Sequence, residues 1–292
     1  MRLAGLQKLT LLDYPGEVAC TVFTQGCNLR CPFCQNPDLV LPELFAAGEA
    51  SLYEGDGAGS GNTLEGSLLS TDGPLPEETF FDYLERRRGK LSAVVVSGGE
   101  PTLHRDLPAF LSRIRDTGYL VKLDTNGLRP EVLQKILEEE LVDYVAMDVK
   151  NSPGKYALTC GLEQDAEDMA AGPEHFAPAA LEKVSAAEGC ERAGGLWEQA
   201  KRSIDLLKES PVAGEFRTTV ALGLHTVEDI KEMAVCLAGS RPWYLQQFVA
   251  GDNLVGSFSR PDLDLASPSR VDLEAMRAAA MEYVPHTAVR GV

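Results

Sequence analysis

Apolar residues recur along this chain in two alternating rhythms. One is short and β-branched; the other is longer, with apolar positions three and four residues apart. The short runs at 18–23, 93–96, 119–123, 144–147, 216–220 and 243–248 read as six strands. The segments between them read as amphipathic helices with recognisable ends. In 76–88, Pro76 stands at the first turn and Glu77 and Glu78 follow. Phe80, Phe81 and Leu84 share one face, and Arg86 to Arg88 close the segment before Gly89. That order suits the helix dipole and its caps.

Further helices fit 108–117, stopped by Gly118, then 130–139 with Leu133 and Ile136, and 196–209 with Trp197, Ala200, Ile204 and Leu207. Thr226-Val227-Glu228-Asp229 has the form of a capping box and opens a helix through Ile230, Met233 and Leu237. A last helix is expected over 271–283, halted by Pro285, within a helical C-terminal segment 262–292. Strands alternating with helices give an α/β fold with parallel βα units.

Two stretches break the alternation. Residues 54–73 are rich in Gly, Ser and Asp and read as a flexible loop, whereas 161–195 is rich in Ala, Glu and Gly and contains Pro173 and Pro178. Neither could bury a core alone, so both are read as surface insertions of one domain spanning 1–292.

Composition narrows the function. With 44 acidic against 27 basic residues the formal charge is −17, which disfavours a nucleic-acid partner, since phosphate binding needs clustered Lys and Arg. No apolar run approaches the length of a membrane span, and no export signal precedes residue 10. The expected location is the cytoplasm.

The sharpest chemical signal is Gly26-Cys27-Asn28-Leu29-Arg30-Cys31-Pro32-Phe33-Cys34, a C-x3-C-x2-C run. Structural zinc would want a second cysteine pair or a His pair, and the sequence has neither at zinc spacing. Seven cysteines form an odd and sparse set for a disulfide framework. Three thiolates without a local fourth suit an iron–sulfur cluster with one iron left open to an exogenous ligand. Of the other cysteines, Cys20 and Cys236 fit small buried hydrophobes, while Cys160 and Cys190 flank the second insertion with no role assigned.

Functional residues of parallel barrels collect at the carboxyl ends of strands. There the chain places Ser97-Gly98-Gly99-Glu100-Pro101, Asp124-Thr125-Asn126-Gly127 and Asp148-Val149-Lys150. Gly98 and Gly99 would let the backbone approach a ligand, and Glu100 offers a carboxylate for an ammonium group. Each string alone also reads as an ordinary turn. Lys150 and Arg217 could bind a carboxylate or form surface ion pairs, and His225 suits either a site or a structural hydrogen bond.

The cysteine spacing, with an aromatic residue, Phe33, before the third cysteine, resembles the radical S-adenosylmethionine (SAM) superfamily. The stretch from Thr10 to Asn28 resembles activating proteins of anaerobic ribonucleoside-triphosphate reductase. The resemblance implies a partial (β/α)6 TIM-like barrel and a [4Fe-4S] cluster on Cys27, Cys31 and Cys34. It implies SAM contacts from Phe33, Gly98, Gly99, Glu100, Pro101, Asp124, Thr125, Asn126, Asp148, Lys150, Arg217 and His225. A monovalent cation near Asp124, Thr125 and Asp148 is implied as well.

The implied reaction is reductive SAM cleavage to a 5′-deoxyadenosyl radical, which installs a glycyl radical on a partner enzyme. That partner would be the anaerobic ribonucleotide reductase, and a flavodoxin- or ferredoxin-type protein would donate the electron. Gln35 departs from a His found in many relatives, and 161–195 has no counterpart. Open alternatives are an enzyme acting on a small molecule, similar to the 7-carboxy-7-deazaguanine synthases, a formate-lyase-type activase, and a non-catalytic metal-binding regulator.

Overall fold

The structure, a computed structural model, describes residues 1–40, 67–69, 74–162, 186–251 and 254–291. All six expected strands are present: β2 (Ala19–Thr24), β4 (Ala93–Gly98), β5 (Leu120–Thr125), β6 (Tyr144–Asp148), β7 (Ala213–Val220) and β8 (Trp243–Gln247). Three more were not foreseen, namely β1 (Leu3–Thr10), β3 (Ser67–Leu69) and β9 (Thr287–Arg290).

The chain divides into two compact units. The first comprises Met1–Asn28, Asn36–Asp148 and Glu209–Glu215; the second comprises Leu29–Gln35, Val149–Lys208 and Phe216–Val292. In the first, β1 pairs antiparallel with β2 and β3, and parallel pairing then runs from β2 through β4 and β5 to β6. In the second, β7, β8 and β9 pair in parallel. The α/β class and its repeated parallel βα units are therefore as expected.

β4 illustrates why the strands form where they do. Its run Ala93, Val94, Val95 and Val96 is fully buried, the signature of a parallel strand covered on both faces. Helices at Glu77–Arg86 and Leu107–Asp116 pack through Phe80, Phe81 and Phe110, whose ring centroids lie 5.2 to 5.5 Å apart. Those aromatic pairs add to the area they bury.

Several expectations need correction. Most of the 54–73 loop lies outside the described residues, but Ser67–Leu69 is a strand, with Gly5 opposite Leu69 on β1. Most of the 161–195 insertion also lies outside them, yet the helix expected from 196 begins ten residues earlier and spans Ala186–Glu209. The C-terminal segment is not wholly helical: after the helix Arg270–Met281 the chain turns into β9, where Thr287 pairs with Trp243. β1 has Thr10 as its one β-branched residue and β9 is four residues long, so neither stands out as a run, and pairing with a neighbour settles their conformation.

Candidate functional site

In the first unit, the loops after β2, β4 and β5 are tied together by hydrogen bonds. The Glu100 N–H donates to the Gly26 carbonyl at 2.8 Å, and the Gly99 N–H donates to the Thr24 carbonyl at 3.0 Å. A Cβ on Gly98, whose φ is +119°, would lie 2.3 Å from the Thr24 nitrogen; one on Gly99 would lie 1.9 Å from the Gly26 oxygen. The two glycines are thus required by the backbone that leads into Cys27, a constraint within the protein itself.

Glu100 is 1% exposed. Its Oε1 accepts from the Thr102 N–H at 3.1 Å, the Thr102 hydroxyl at 2.5 Å and the Thr125 hydroxyl at 2.7 Å, while Oε2 accepts from the Asn126 N–H at 2.7 Å. Burial raises its pKa, and the donors of Thr102, Asn126 and Thr125 oppose that rise. The carboxylate offered by the sequence as an ammonium ligand is occupied in joining the loop after β4 to the loop after β5. Asn126 extends the connection: its Nδ2 donates to Asn28 Oδ1 at 2.8 Å, and that oxygen stands 4.0 Å from Cys27 Sγ.

Asp124 and Asp148, both half-buried, lie at the carboxyl ends of β5 and β6. Asp124 accepts from the Ser97 hydroxyl at 3.2 Å and forms a 3.2 Å ion pair with Lys122, which lies on the same face of β5. The sequence reading missed Lys122, Asn28 and Thr102. A lysine at the centre of an apolar run, two residues before an acid, was the available sign of the first.

In the second unit, Cys31 and Phe33 are buried and Cys34 is half-buried. Backbone bonds hold this stretch, since Cys34 N donates to Cys31 O at 3.0 Å and Arg30 N to Cys160 O at 3.0 Å. Val255 N and Gly256 N donate to Cys34 O and Pro32 O, each at 2.9 Å. Two glycines pack against it: a Cβ on Gly161 would lie 2.0 Å from Arg30 O, and one on Gly256 would lie 2.5 Å from Pro32 O. Neither glycine stood out in the sequence, because nothing near them marks a turn against a distant loop.

His225, 3% exposed, spends both ring nitrogens on backbone. Nδ1 lies 3.2 Å from the Ala221 nitrogen, and Nε2 lies 2.8 Å from the Lys150 carbonyl. The neutral imidazole with its proton on Nε2 satisfies both, and burial lowers its pKa accordingly. Its ring meets Phe33 edge-on at 6.5 Å, and Lys150 Nζ lies 5.9 Å from the Phe33 centroid. Arg217, half-buried on β7, receives the Val149 N–H on its carbonyl at 2.9 Å. Cys160 is fully buried, whereas Cys236 is only half-buried and not the core residue expected; burial still raises its thiol pKa.

Cys27, Cys31 and Cys34 take part in no disulfide. Among the described residues, no three His, Cys, Asp or Glu side chains form a group that could hold a metal ion. An iron–sulfur cluster would take the thiolates of Cys27, Cys31 and Cys34 as its protein ligands, a different demand from one ion held by three side chains. Three thiols closely spaced in sequence, with no disulfide among them, are a donor set that fits such a cluster.

Residues 21–237 match the Radical SAM superfamily, and the chain belongs to it. It is accordingly an enzyme of a family that uses a [4Fe-4S] cluster and SAM. A protein of Methanocaldococcus jannaschii, provisionally named a glycyl-radical enzyme activating enzyme, is 27% identical over 99% of this chain and 95% of its own length. The 7-carboxy-7-deazaguanine synthase of Aquifex aeolicus is 30% identical over 39% of each chain. The pyruvate formate-lyase-activating enzyme of Streptococcus mutans is 29% identical over 51% of each. Among the described residues no helix is long and apolar enough to cross a membrane.

Proposed function

We propose that this enzyme is a glycyl-radical activase, with the anaerobic ribonucleotide reductase as its partner and a flavodoxin- or ferredoxin-type protein as electron donor. The observation that carries this reading is the extent of the similarity. The provisionally named activating enzyme aligns over 99% of this chain, whereas the deazaguanine synthase aligns over 39%. Shared cysteine spacing alone would not separate the two. Similarity to the formate-lyase activase adds to the activase reading without selecting the partner.

Cys27, Cys31 and Cys34 hold the cluster in this reading, and the loop 98–101, with Asp124, Thr125, Asn126 and Asp148, receives SAM. Cluster and SAM, when bound there, would supply the radical chemistry needed to take a hydrogen atom from the partner glycine. The protein's share is placement. Glu100 fixes the loop at 98–101 to Thr125 and Asn126, so the amino group of SAM meets a backbone that cannot drift. Asn126 orients Asn28 beside Cys27. Lys150 and Arg217 supply positive charge for the SAM carboxylate or for the backbone of the partner, and His225 holds the Lys150 carbonyl while packing on Phe33.

The test is anaerobic co-purification of the reconstituted enzyme with candidate glycyl-radical proteins, followed by SAM and a reductant. A doublet in the electron paramagnetic resonance spectrum of the ribonucleotide reductase supports the proposal. Turnover of a small metabolite, with no doublet on any candidate, rejects it.

A further inference from the structure

Lys122 is one of the largest fully buried side chains in the molecule, at 2% exposure. A buried ammonium must be compensated where it lies. Its Nζ makes a 3.2 Å ion pair with Asp124 Oδ1, donates to the Asp13 carbonyl and lies 5.7 Å from the centroid of the Tyr144 ring. These partners are fixed in turn. The Thr21 hydroxyl donates to Asp13 Oδ2 at 2.7 Å, the Tyr144 hydroxyl donates to Glu215 Oε2 at 3.1 Å, and the Ser97 hydroxyl donates to the other Asp124 oxygen at 3.2 Å.

Asp124 is one of the residues that the family resemblance associates with a monovalent cation. Here a covalently tethered cation already stands against it. The second such residue, Thr125, has its hydroxyl on Glu100. A potassium or sodium ion at this carboxylate would place one positive charge beside another in a poorly hydrated setting, where repulsion is weakly screened.

We propose that the Lys122 ammonium is the built-in cation of Asp124, so that this enzyme needs no free monovalent metal ion there. The inference rests on Asp124 belonging to the SAM site, and it sharpens that reading by assigning a charge that stands against the carboxylate. It makes Lys122 a positioning residue acting through Asp124.

The experiment compares potassium, sodium and tetramethylammonium chloride at equal ionic strength and uses two readouts. The first is the unfolding midpoint of the cluster-free protein, which reports ion binding without any cofactor. The second is SAM cleavage by the reduced, reconstituted protein without a partner, so failure to activate a glycyl-radical enzyme has no bearing on the outcome.

For the wild type, the midpoint is expected to agree within about 1 °C and cleavage within about twofold across the salts. For Lys122→Met, potassium or sodium is expected to raise the midpoint and to restore cleavage about tenfold over tetramethylammonium. A wild-type protein stabilised and activated by potassium or sodium overturns the proposal. So does a Lys122→Met protein indifferent to both ions. Should Lys122→Met not fold, the wild-type comparison decides alone.

Discussion

The strand-end loops of the first unit and the cysteine stretch of the second are held by opposite means. In the first, a buried carboxylate collects four donors from three residues, and side chains join one loop to the next. In the second, residues 30–34 are held largely through their own backbone, by Cys160, Val255 and Gly256, with glycine contacts admitting the close approach. Side-chain wiring can be removed one atom at a time. Backbone wiring can be disturbed only through the glycines that permit it.

The largest effect should therefore come from Gly161→Ala. Its φ is +71° and the new Cβ would lie 2.0 Å from the Arg30 carbonyl, so the cysteine stretch or the turn must move. A loss of about 3 kcal/mol or more is expected, together with iron incorporation well below the wild type. Gly154→Ala is the control, since its Cβ would meet nothing within 4 Å, and a change within about 0.5 kcal/mol is expected. Denaturant melts and iron per chain read both. Wild-type iron content in Gly161→Ala would end the claim that this contact shapes the cysteine stretch.

Next in size is Glu100→Gln, which keeps the shape but turns an amide NH2 toward groups that donate. An unsatisfied buried donor costs about 1–3 kcal/mol. Thr102→Val and Thr125→Val remove single donors and are each expected to cost about 1 kcal/mol. SAM affinity, measured by calorimetry on the reconstituted protein, should fall in all three variants in step with the melt. A Glu100→Gln variant that loses SAM while both threonine variants keep it would mean that the carboxylate binds the cofactor directly, and the contrast between the two regions would narrow.

The contrast also explains what the sequence made legible. Buried parallel strands such as 93–96 carry near-continuous apolar runs, and capping residues such as Thr226 mark helix starts locally, so the βα alternation could be read directly. The strand-end motifs were legible as positions but not as roles. Gly98 and Gly99 looked like room for a ligand, whereas their Cα positions press on Thr24 and Gly26. Glu100 looked like a free carboxylate, although its donors lie up to 26 residues away. Gly161 and Gly256 carried no signal, because what they touch is set by pairing far along the chain. Residues within one turn announce themselves; contacts between loops do not.

The smallest effects concern pH, and they test where the second unit does use side chains. His225 is buried and neutral, its pKa held below the ordinary 6.5 chiefly by burial. The folded protein then binds fewer protons than the unfolded one, so its stability is full above 6.5 and declines as pH falls from there toward the lowered folded value. Asp229 titrates in a separate window. Burial alone would raise its pKa, but hydrogen bonds from Lys155 at 2.6 Å and from Thr226 at 2.8 Å prevail and hold it below the ordinary 3.8. Its contribution is present above 3.8 and lost as pH drops through the folded value.

Melts between pH 8 and 3 should thus show two declines. His225→Phe is expected to diminish the upper one, the remainder coming from His104, whose pKa burial also holds below 6.5, and Thr226→Ala, which costs about 1 kcal/mol as a lost cap, to weaken the lower one while leaving the upper in place. If the upper decline persists undiminished in His225→Phe, the buried imidazole of His225 is not its source. The second unit would then owe its acid response to groups other than the ring that braces Lys150 against Phe33.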